Sequence, residues 1–323
     1  MEIKERPCKK VKISDEIQRS DRLSNLPDPI IHYILSLMNT KCAVRTCVLS
    51  KNWRYHWTNI HTLSFCSRSF TNTLVFSDFI THVLHRLNHL KLLKLKLDCW
   101  NTITRHKITS LVFEYAISHG FEELDTDMVD AAFPQILFQY QTLKTLKTTR
   151  YFNYSSFATL TTLQIYYVTF NPNTGTFAGC LNLQNLQLIQ CSVNYVYIIS
   201  APRLLSLQIS DFCIFGGRIV VNAPRLKFFN LNATNPLLLS MDECLSLDKV
   251  YIHLSPFMDY DDNTILIKYP YNLMVHYNDD MMQHYVSKLR MIAMCQGISH
   301  VKSLTLSLNL SHQVSTYFQV SSN

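Results

Sequence analysis

The chain has 323 residues, of which 47% are apolar and 12% aromatic, with only 6 glycines. That composition excludes a disordered segment, a collagen-like array and a Gly-rich phosphate loop, and the length predicts two ordinary domains or a small domain followed by a repeat array. The formal net charge is +7, but Lys4, Arg6, Lys9, Lys10 and Lys12 outweigh Glu2 and Glu5 in the first twelve residues, so much of the excess belongs to a tail.

The remaining charge is spread without a basic helix or a basic-aromatic stripe, which predicts no nucleic-acid face. Residues 1–20 read as a basic flexible tail. The cluster Lys9-Lys10-Val11-Lys12 is of the kind that acts as a weak nuclear-import signal, though such tails are more often merely solvated. No stretch approaches the roughly 18 uninterrupted apolar residues of a membrane-spanning helix. The N-terminal MEIKERPCKKVKIS has no apolar core behind it, so neither signal peptide nor membrane partner is expected, and the expected location is cytoplasmic and/or nuclear. Ten cysteines without a C-x-x-C pair fit buried thiols better than a zinc site or a disulfide framework.

Leu26-Pro27-Asp28-Pro29 opens a run whose apolar residues Ile30, Ile31, Ile34, Leu35, Leu37 and Met38 recur at helical spacing. Pro29 suits a first helical turn, where a missing N–H costs nothing. After the polar break at Asn39-Thr40-Lys41, residues Cys42, Ala43, Val44, Cys47, Val48 and Leu49 form a second stripe, and a third short run carries Trp53 and Trp57. Three such helices in residues 21–60 cannot bury all this apolar surface alone. Part of it should face a partner, and part the next domain.

The phrases Leu23-Ser24-Asn25-Leu26-Pro27-Asp28, Ile34-Leu35-Ser36 and Ala43-Val44-Arg45-Thr46-Cys47-Val48-Leu49-Ser50-Lys51-Asn52-Trp53-Arg54 together resemble the F-box of plant F-box/leucine-rich-repeat proteins. Asn52 departs from the pattern, which more often has Arg there. The resemblance implies docking to a Skp-type adaptor, and through it to a cullin. It assigns that contact to Leu26, Pro27, Ile30, Ile31, Ile34, Leu35, Val44, Val48, Leu49 and Trp53.

Beyond residue 60, Ser77 is placed to cap a helix over 77–90 with Phe79, Ile80, Val83, Leu84 and Leu87 on one face. A second helix carries Ile108, Leu111, Val112, Tyr115 and Ala116, and Gly120 is placed to end it in a left-handed conformation. Around these helices recurs an L-x-x-L-x-L phrase, starting at Leu90, Leu143, Leu160, Leu183, Leu204, Leu226, Leu247 and Val301, with a weaker copy at Phe121. The starts at 183, 204, 226 and 247 are 21 or 22 residues apart, a leucine-rich-repeat period. One turn cannot cover its own apolar side chains, so neighbouring turns must stack.

Ala201-Pro202-Arg203-Leu204 and Ala223-Pro224-Arg225-Leu226 follow β-prone runs at Tyr195–Ile199 and Ile219–Val221. Proline ends each run because it cannot donate to a ladder, so these turns alternate strand with strand. The A-P-x-L phrase again resembles the plant family. The expected fold is an α/β repeat: a three-helix F-box at 21–60, then a leucine-rich-repeat solenoid of short parallel strands over 61–323, irregular from about 253. In the irregular part, 255–278 reads as loop and irregular strand, and Asp279-Asp280 are placed to cap a helix carrying Met282, Tyr285, Val286, Leu289, Ile292 and Ala293. Longer members of the family continue into a further FBD domain, whereas this sequence ends at Asn323.

Residues between the inward leucines should point to solvent, making Gln184, Asn185, Gln187, Ser206, Gln208, Lys227, Phe228 and Asn230 candidates for contact with a protein substrate. No metal, cofactor or catalytic residue is expected. His82, His85 and His89 share a helix face but lack a completing ligand. Asp259, Asp261, Asp262 and Asn263 lack the glycine and distant glutamate of a calcium loop. No hydrolase, zinc-protease or nucleotide-loop motif occurs. The reading is a non-catalytic, substrate-selecting subunit of a Skp-cullin-F-box ubiquitin ligase, which contributes proximity alone. Two alternatives stay open: a repeat scaffold outside any ligase, or a truncated non-functional relative.

Overall fold

The computed structural model describes residues 23, 25–88, 91–99, 105–128, 137, 140–149, 157–171, 177–193, 196–214, 218–234, 237–254, 294, 296, 298, 301–309 and 315–321. The expected loop at 255–278, most of the helix after Asp280, the 259–263 acidic cluster, His89 and the basic tail lie outside these residues.

Two helices open the described chain, α1 (Asp28–Ser36) and α2 (Thr40–Arg45), followed by 3-10 segments at Thr46–Val48 and Trp53–Asn59. Asn39 caps α2, its side chain accepting from the Cys42 amide at 2.8 Å. The expected third helix is therefore a 3-10 segment. Runs this short take their geometry from packing rather than from helix propensity, and this one buries Trp53, His56 and Trp57.

The chain continues as β1 (Thr62–Cys66), α3 (Thr73–Arg86), β2 (Lys94–Cys99), α4 (Arg105–Ser118), β3 (Glu123–Met128), β4 (Thr145–Thr148), β5 (Thr162–Tyr166) and β6 (Thr169–Phe170). It then forms β7 (Asn185–Ile189), β8 (Ser192–Val193), β9 (Tyr197–Ser200), β10 (Ser206–Ser210), β11 (Cys213–Ile214) and β12 (Ile219–Asn222). Last come β13 (Phe228–Ala233), β14 (Leu239–Ser240), β15 (Lys249–Leu254), β16 (Ser303–Asn309) and β17 (Ser315–Ser321). An 11-stranded sheet runs β1-β2-β3-β4-β5-β7-β10-β13-β15-β16-β17. Every neighbouring pair is parallel up to β16, and β17 closes it antiparallel. Two three-stranded sheets, β11-β8-β6 and β14-β12-β9, accompany it.

The recurring phrase sets the register of the large sheet. Leu63, Leu95, Leu124, Leu146, Leu163, Leu186, Leu207, Phe229, Val250 and Leu304 occupy one column. Two residues on, Phe65, Leu97, Thr126, Thr148, Ile165, Leu188, Ile209, Leu231, Ile252 and Leu306 form the next, because side chains on one face of a strand recur with period two. Two corrections follow. The copy assigned to Leu90, Leu93 and Leu95 is Leu92-Leu95-Leu97, since Leu92 is buried whereas Leu93 is 47% exposed. A further copy, Ile60-Leu63-Phe65, opens the array.

Helix α3 starts earlier than the sequence suggests. Its cap is Asn72, which accepts from the Val75 amide at 2.9 Å, and Ser77 lies inside the helix. The buried stripe then reads Phe76, Ile80, Val83, Leu84 and Leu87. Helix α4 follows expectation in burying Ile108, Val112 and Ala116, but Phe113 takes the inner place expected of Leu111, which is exposed. Gly120 beyond it has φ +72°, a left-handed conformation that glycine adopts without steric cost.

In the regular part, β5, β7 and β10 are each followed by a left-handed residue: Tyr167, Gln190 and Asp211, with φ of 59°, 51° and 52°. Their amides donate to the next turn, at Ile189 O (3.1 Å), Ser210 O (2.8 Å) and Asn232 O (2.8 Å). Each such residue redirects the chain from the large sheet toward β6, β8 or β11. The β-prone runs appear as β9 and β12, and the Ala-Pro turns behind them close through Leu204 N to Ala201 O (3.2 Å) and Leu226 N to Ala223 O (3.0 Å).

The helical module is bonded to the first turn of the array. Thr40 is fully buried, and its Oγ1 accepts from the Ser64 amide of β1 at 2.8 Å. Lys41 Nζ donates to the Ser69 carbonyl and stands 4.2 Å from the centroid of the Phe70 ring. Asn88 Nδ2, just after α3, donates to Asn59 Oδ1 at 2.7 Å. One apolar core runs from Ile31 and Leu35 through Trp53, Trp57 and Ile60 into Leu63 and Phe65 and onward.

Candidate functional site

The ten candidate adaptor residues divide by burial. Ile31 and Leu35 lie one turn apart on the inner side of α1, and with Trp53 they are buried in the core shared with β1. These three hold the module together, a correction to their reading as surface contacts. Leu26, Ile34 and Val44 are half-buried, while Pro27 and Ile30 are exposed. Val48 is 83% and Leu49 58% exposed. Leu37, at 70%, together with Tyr33 and Met38, is exposed too. The sequence had placed Leu37 and Met38 on the α1 stripe, but the helix ends at Ser36.

An imidazole pair ties α1 to the second 3-10 segment, His56 Nδ1 lying 3.2 Å from His32 Nε2 with ring centroids 5.2 Å apart, edge to face. Burial, then the neighbouring His56 ring, push the His32 imidazole below its ordinary value. A His–His hydrogen bond needs one ring neutral to accept, so the depressed value suits the bond.

The second surface is the outward face of the large sheet. All eight candidate substrate residues sit on it or on the residue just before a strand, and each is exposed or half-exposed. Asn185, Ser206 and Phe228 share one register row, and Gln187, Gln208 and Asn230 the next. Gln184 and Lys227 precede β7 and β13. The Gln184 carbonyl accepts from Leu205 N (2.8 Å) and Ser206 N (3.0 Å), and that of Lys227 from Asp248 N and Lys249 N, both at 3.0 Å. The same rows continue onto residues missed in the sequence, Gln164 of β5 and Tyr251 of β15. Their offsets within the L-x-x-L-x-L phrase would have found them.

Toward the helical module the face is charged but compensated. Lys91 and Lys144 flank Glu122 at 2.6 and 2.8 Å, Lys94 and Lys147 flank Glu123 at 2.7 and 3.6 Å, and Lys96 meets Asp125 at 3.2 Å. The two lysines hold the Glu122 carboxyl at about 2, well below the usual range. An open depression of about 470 Å³ lies beside them, lined by Glu122, Gln141, Thr142, Lys144, Thr159, Thr161, Asn182 and Gln184.

Among the described residues no group of three His, Cys, Asp or Glu is arranged to hold a metal ion, and no helix is long and apolar enough to cross a membrane. The His82 ring bonds the Asp78 carbonyl of its own helix at 2.7 Å. Burial pushes the thiols of Cys180, Cys191 and Cys244 up to about 11, where little thiolate exists at neutral pH. Alkylation of the folded protein at about pH 8 should therefore label the half-buried Cys42, Cys47 and Cys66 before these three. Mass spectrometry reads the order of labelling, and early modification of Cys191 would contradict the buried placement.

Residues 23–62 match the F-box domain family. The chain is 32% identical over 243 residues to an F-box/FBD/LRR-repeat protein of Arabidopsis thaliana, covering 66% of this chain and 50% of that protein. A second F-box/FBD/LRR-repeat protein of the same plant is 28% identical over 271 residues, covering 74% of this chain and 58% of the relative. An F-box/LRR-repeat protein of Arabidopsis is 34% identical over 138 residues, 40% of this chain and 28% of the relative. The chain thus spans little more than half the length of these relatives at most. No solved structure matches it.

Proposed function

We propose that this chain, a plant-type F-box/leucine-rich-repeat protein by its F-box match and its Arabidopsis relatives, is the substrate-selecting subunit of a Skp-cullin-F-box ubiquitin ligase. F-box domains in general dock Skp-type adaptors, and F-box proteins are in general non-catalytic. In this reading residues 23–62 hold the adaptor and through it a cullin. The strand-lined face of the solenoid holds a target protein, in the cytoplasm and/or nucleus. Activity then belongs to the assembly, and this subunit contributes the proximity of target to a charged ubiquitin carrier.

The observation that carries the proposal is the exposure of Val48, Leu49, Leu37 and Ile30 inside the F-box match. Large apolar side chains left uncovered in so small a module mark an interaction surface. Pro27, Leu26, Ile34 and Val44 complete the proposed contact, while Ile31, Leu35 and Trp53 support it from beneath. Co-expression with a Skp-type adaptor should yield a one-to-one complex on size-exclusion chromatography. A folded chain that elutes alone in the presence of excess adaptor would sink the proposal.

A further inference from the structure

Resting on the outward face of the sheet as the capture surface, we propose that the target segment it takes is an extended, uncharged stretch of protein, held by a row of side-chain amides. Gln164, Gln187, Gln208 and Asn230 stand at one register position on the adjacent parallel strands β5, β7, β10 and β13. With neighbouring strands ~4.8 Å apart, the row extends about 14 Å. Each carboxamide offers donors and an acceptor, the same complement as a peptide group.

Two amides of the row are oriented by neighbours. Gln164 Oε1 accepts from the Tyr166 hydroxyl at 3.0 Å, and Gln208 Nε2 donates to Ser210 Oγ at 3.3 Å. The carboxamides of Gln187 and Asn230 have no hydrogen-bond partner among the described residues, which leaves their bonding capacity to solvent or to a ligand. Tyr251 of β15 follows Asn230 in the same row, and Phe228 lies beside it on β13. Both rings are close to half exposed and supply the apolar anchors that interfaces favour.

Charge decides the class of partner. The outward positions of β5, β7, β10 and β13 hold Thr, Gln, Tyr, Asn, Ile, Ser and Phe, with no Asp, Glu, Lys, Arg or His among them. On the flanking strands Lys147 of β4, in the same register row, lies 3.6 Å from Glu123, and Lys249 of β15 stands beside Phe228. A phosphorylated or strongly acidic segment confined to the four central strands would lose hydration with no opposite charge on those strands to meet it. A neutral polar segment would exchange water for amides at little cost.

The test uses the full-length chain and immobilised peptides of about twelve residues, long enough to cross the row when extended. Three classes are compared: neutral sequences of Gln, Asn, Ser and Thr with one Tyr or Phe, acidic sequences including phosphoserine, and basic sequences. Neutral peptides should bind, with affinity changing less than about twofold between about 50 and about 500 mM NaCl. The pair Gln187→Ala with Gln208→Ala should weaken them about tenfold or more without moving the thermal midpoint. Gln187→Glu, which keeps the size and adds a charge, should weaken them as well. Preference for the acidic or basic class, binding by none, or neutral binding indifferent to all three substitutions overturns the proposal. Adaptor capture is measured on the same preparation: its loss with peptide binding intact sinks the ligase reading alone, and the converse sinks this one alone.

Discussion

Removing residues 23–60 should lower the thermal midpoint of the remaining chain by more than about 10 °C, or leave it insoluble. The helical module closes the first turn of the array. Ile31, Leu35, Trp53, Trp57 and Ile60 share one core with Leu63 and Phe65, and Thr40 accepts from the Ser64 amide. A stacked array needs a terminal unit to cover the apolar end of its first turn, and here the F-box occupies that place. Each large apolar side chain returned to water costs about 1.5–3 kcal/mol, so losing several outweighs a typical margin of stability. Calorimetry of the deletion variant checks this, and a cooperative transition at the parent's temperature would remove the module from the array's core. The result bears on how function is probed: a chain lacking residues 23–60 should lose its fold along with any docking of an adaptor, so deletion cannot separate the two.

Point substitutions can. Val48→Asp with Leu49→Asp should raise the dissociation constant for a Skp-type adaptor at least about a hundredfold, since buried apolar anchors at interfaces each contribute about 2 kcal/mol or more. The thermal midpoint should stay within a few degrees, because both side chains stand in solvent in the isolated chain and surface changes of this kind cost little. Trp53→Ala is the contrasting variant. Its ring is buried, so truncation should cost about 3–5 kcal/mol of stability and weaken docking only by loosening the module. Isothermal titration paired with thermal melts reads both quantities. Unchanged adaptor affinity in the Val48/Leu49 variant would place the contact elsewhere on the chain.

The large sheet was legible because its signal repeats. Leu183, Leu204, Leu226 and Leu247 recur at a steady period, and alternation within each phrase fixes which side chains face inward. Gln187, Gln208 and Asn230 could therefore be placed on the outward face from sequence alone. Where two phrases overlap, the signal fails. Leu90, Leu92, Leu93, Leu95 and Leu97 contain two candidate registers two residues apart, and only burial of Leu92 with exposure of Leu93 chooses between them. The start of α3 was missed for a related reason, since Asn72 and Ser77 are both competent caps and Phe76 decides by packing inward.

The sequence by itself determined the F-box match, the recurring inward columns of the sheet and the neutral character of its central strands, all of which depend on residue type and spacing. Only the tertiary structure decided which apolar residues of the helical module are covered. Ile31, Leu35, Val48 and Leu49 all lie on apolar stripes, so periodicity cannot rank them. What separates them is the neighbour: Ile31 and Leu35 are buried in the core that also holds Trp53 and the first strand, while Val48 and Leu49 stand exposed. Burial is set by the partner a side chain meets, and for a module this small that partner lies elsewhere in the sequence.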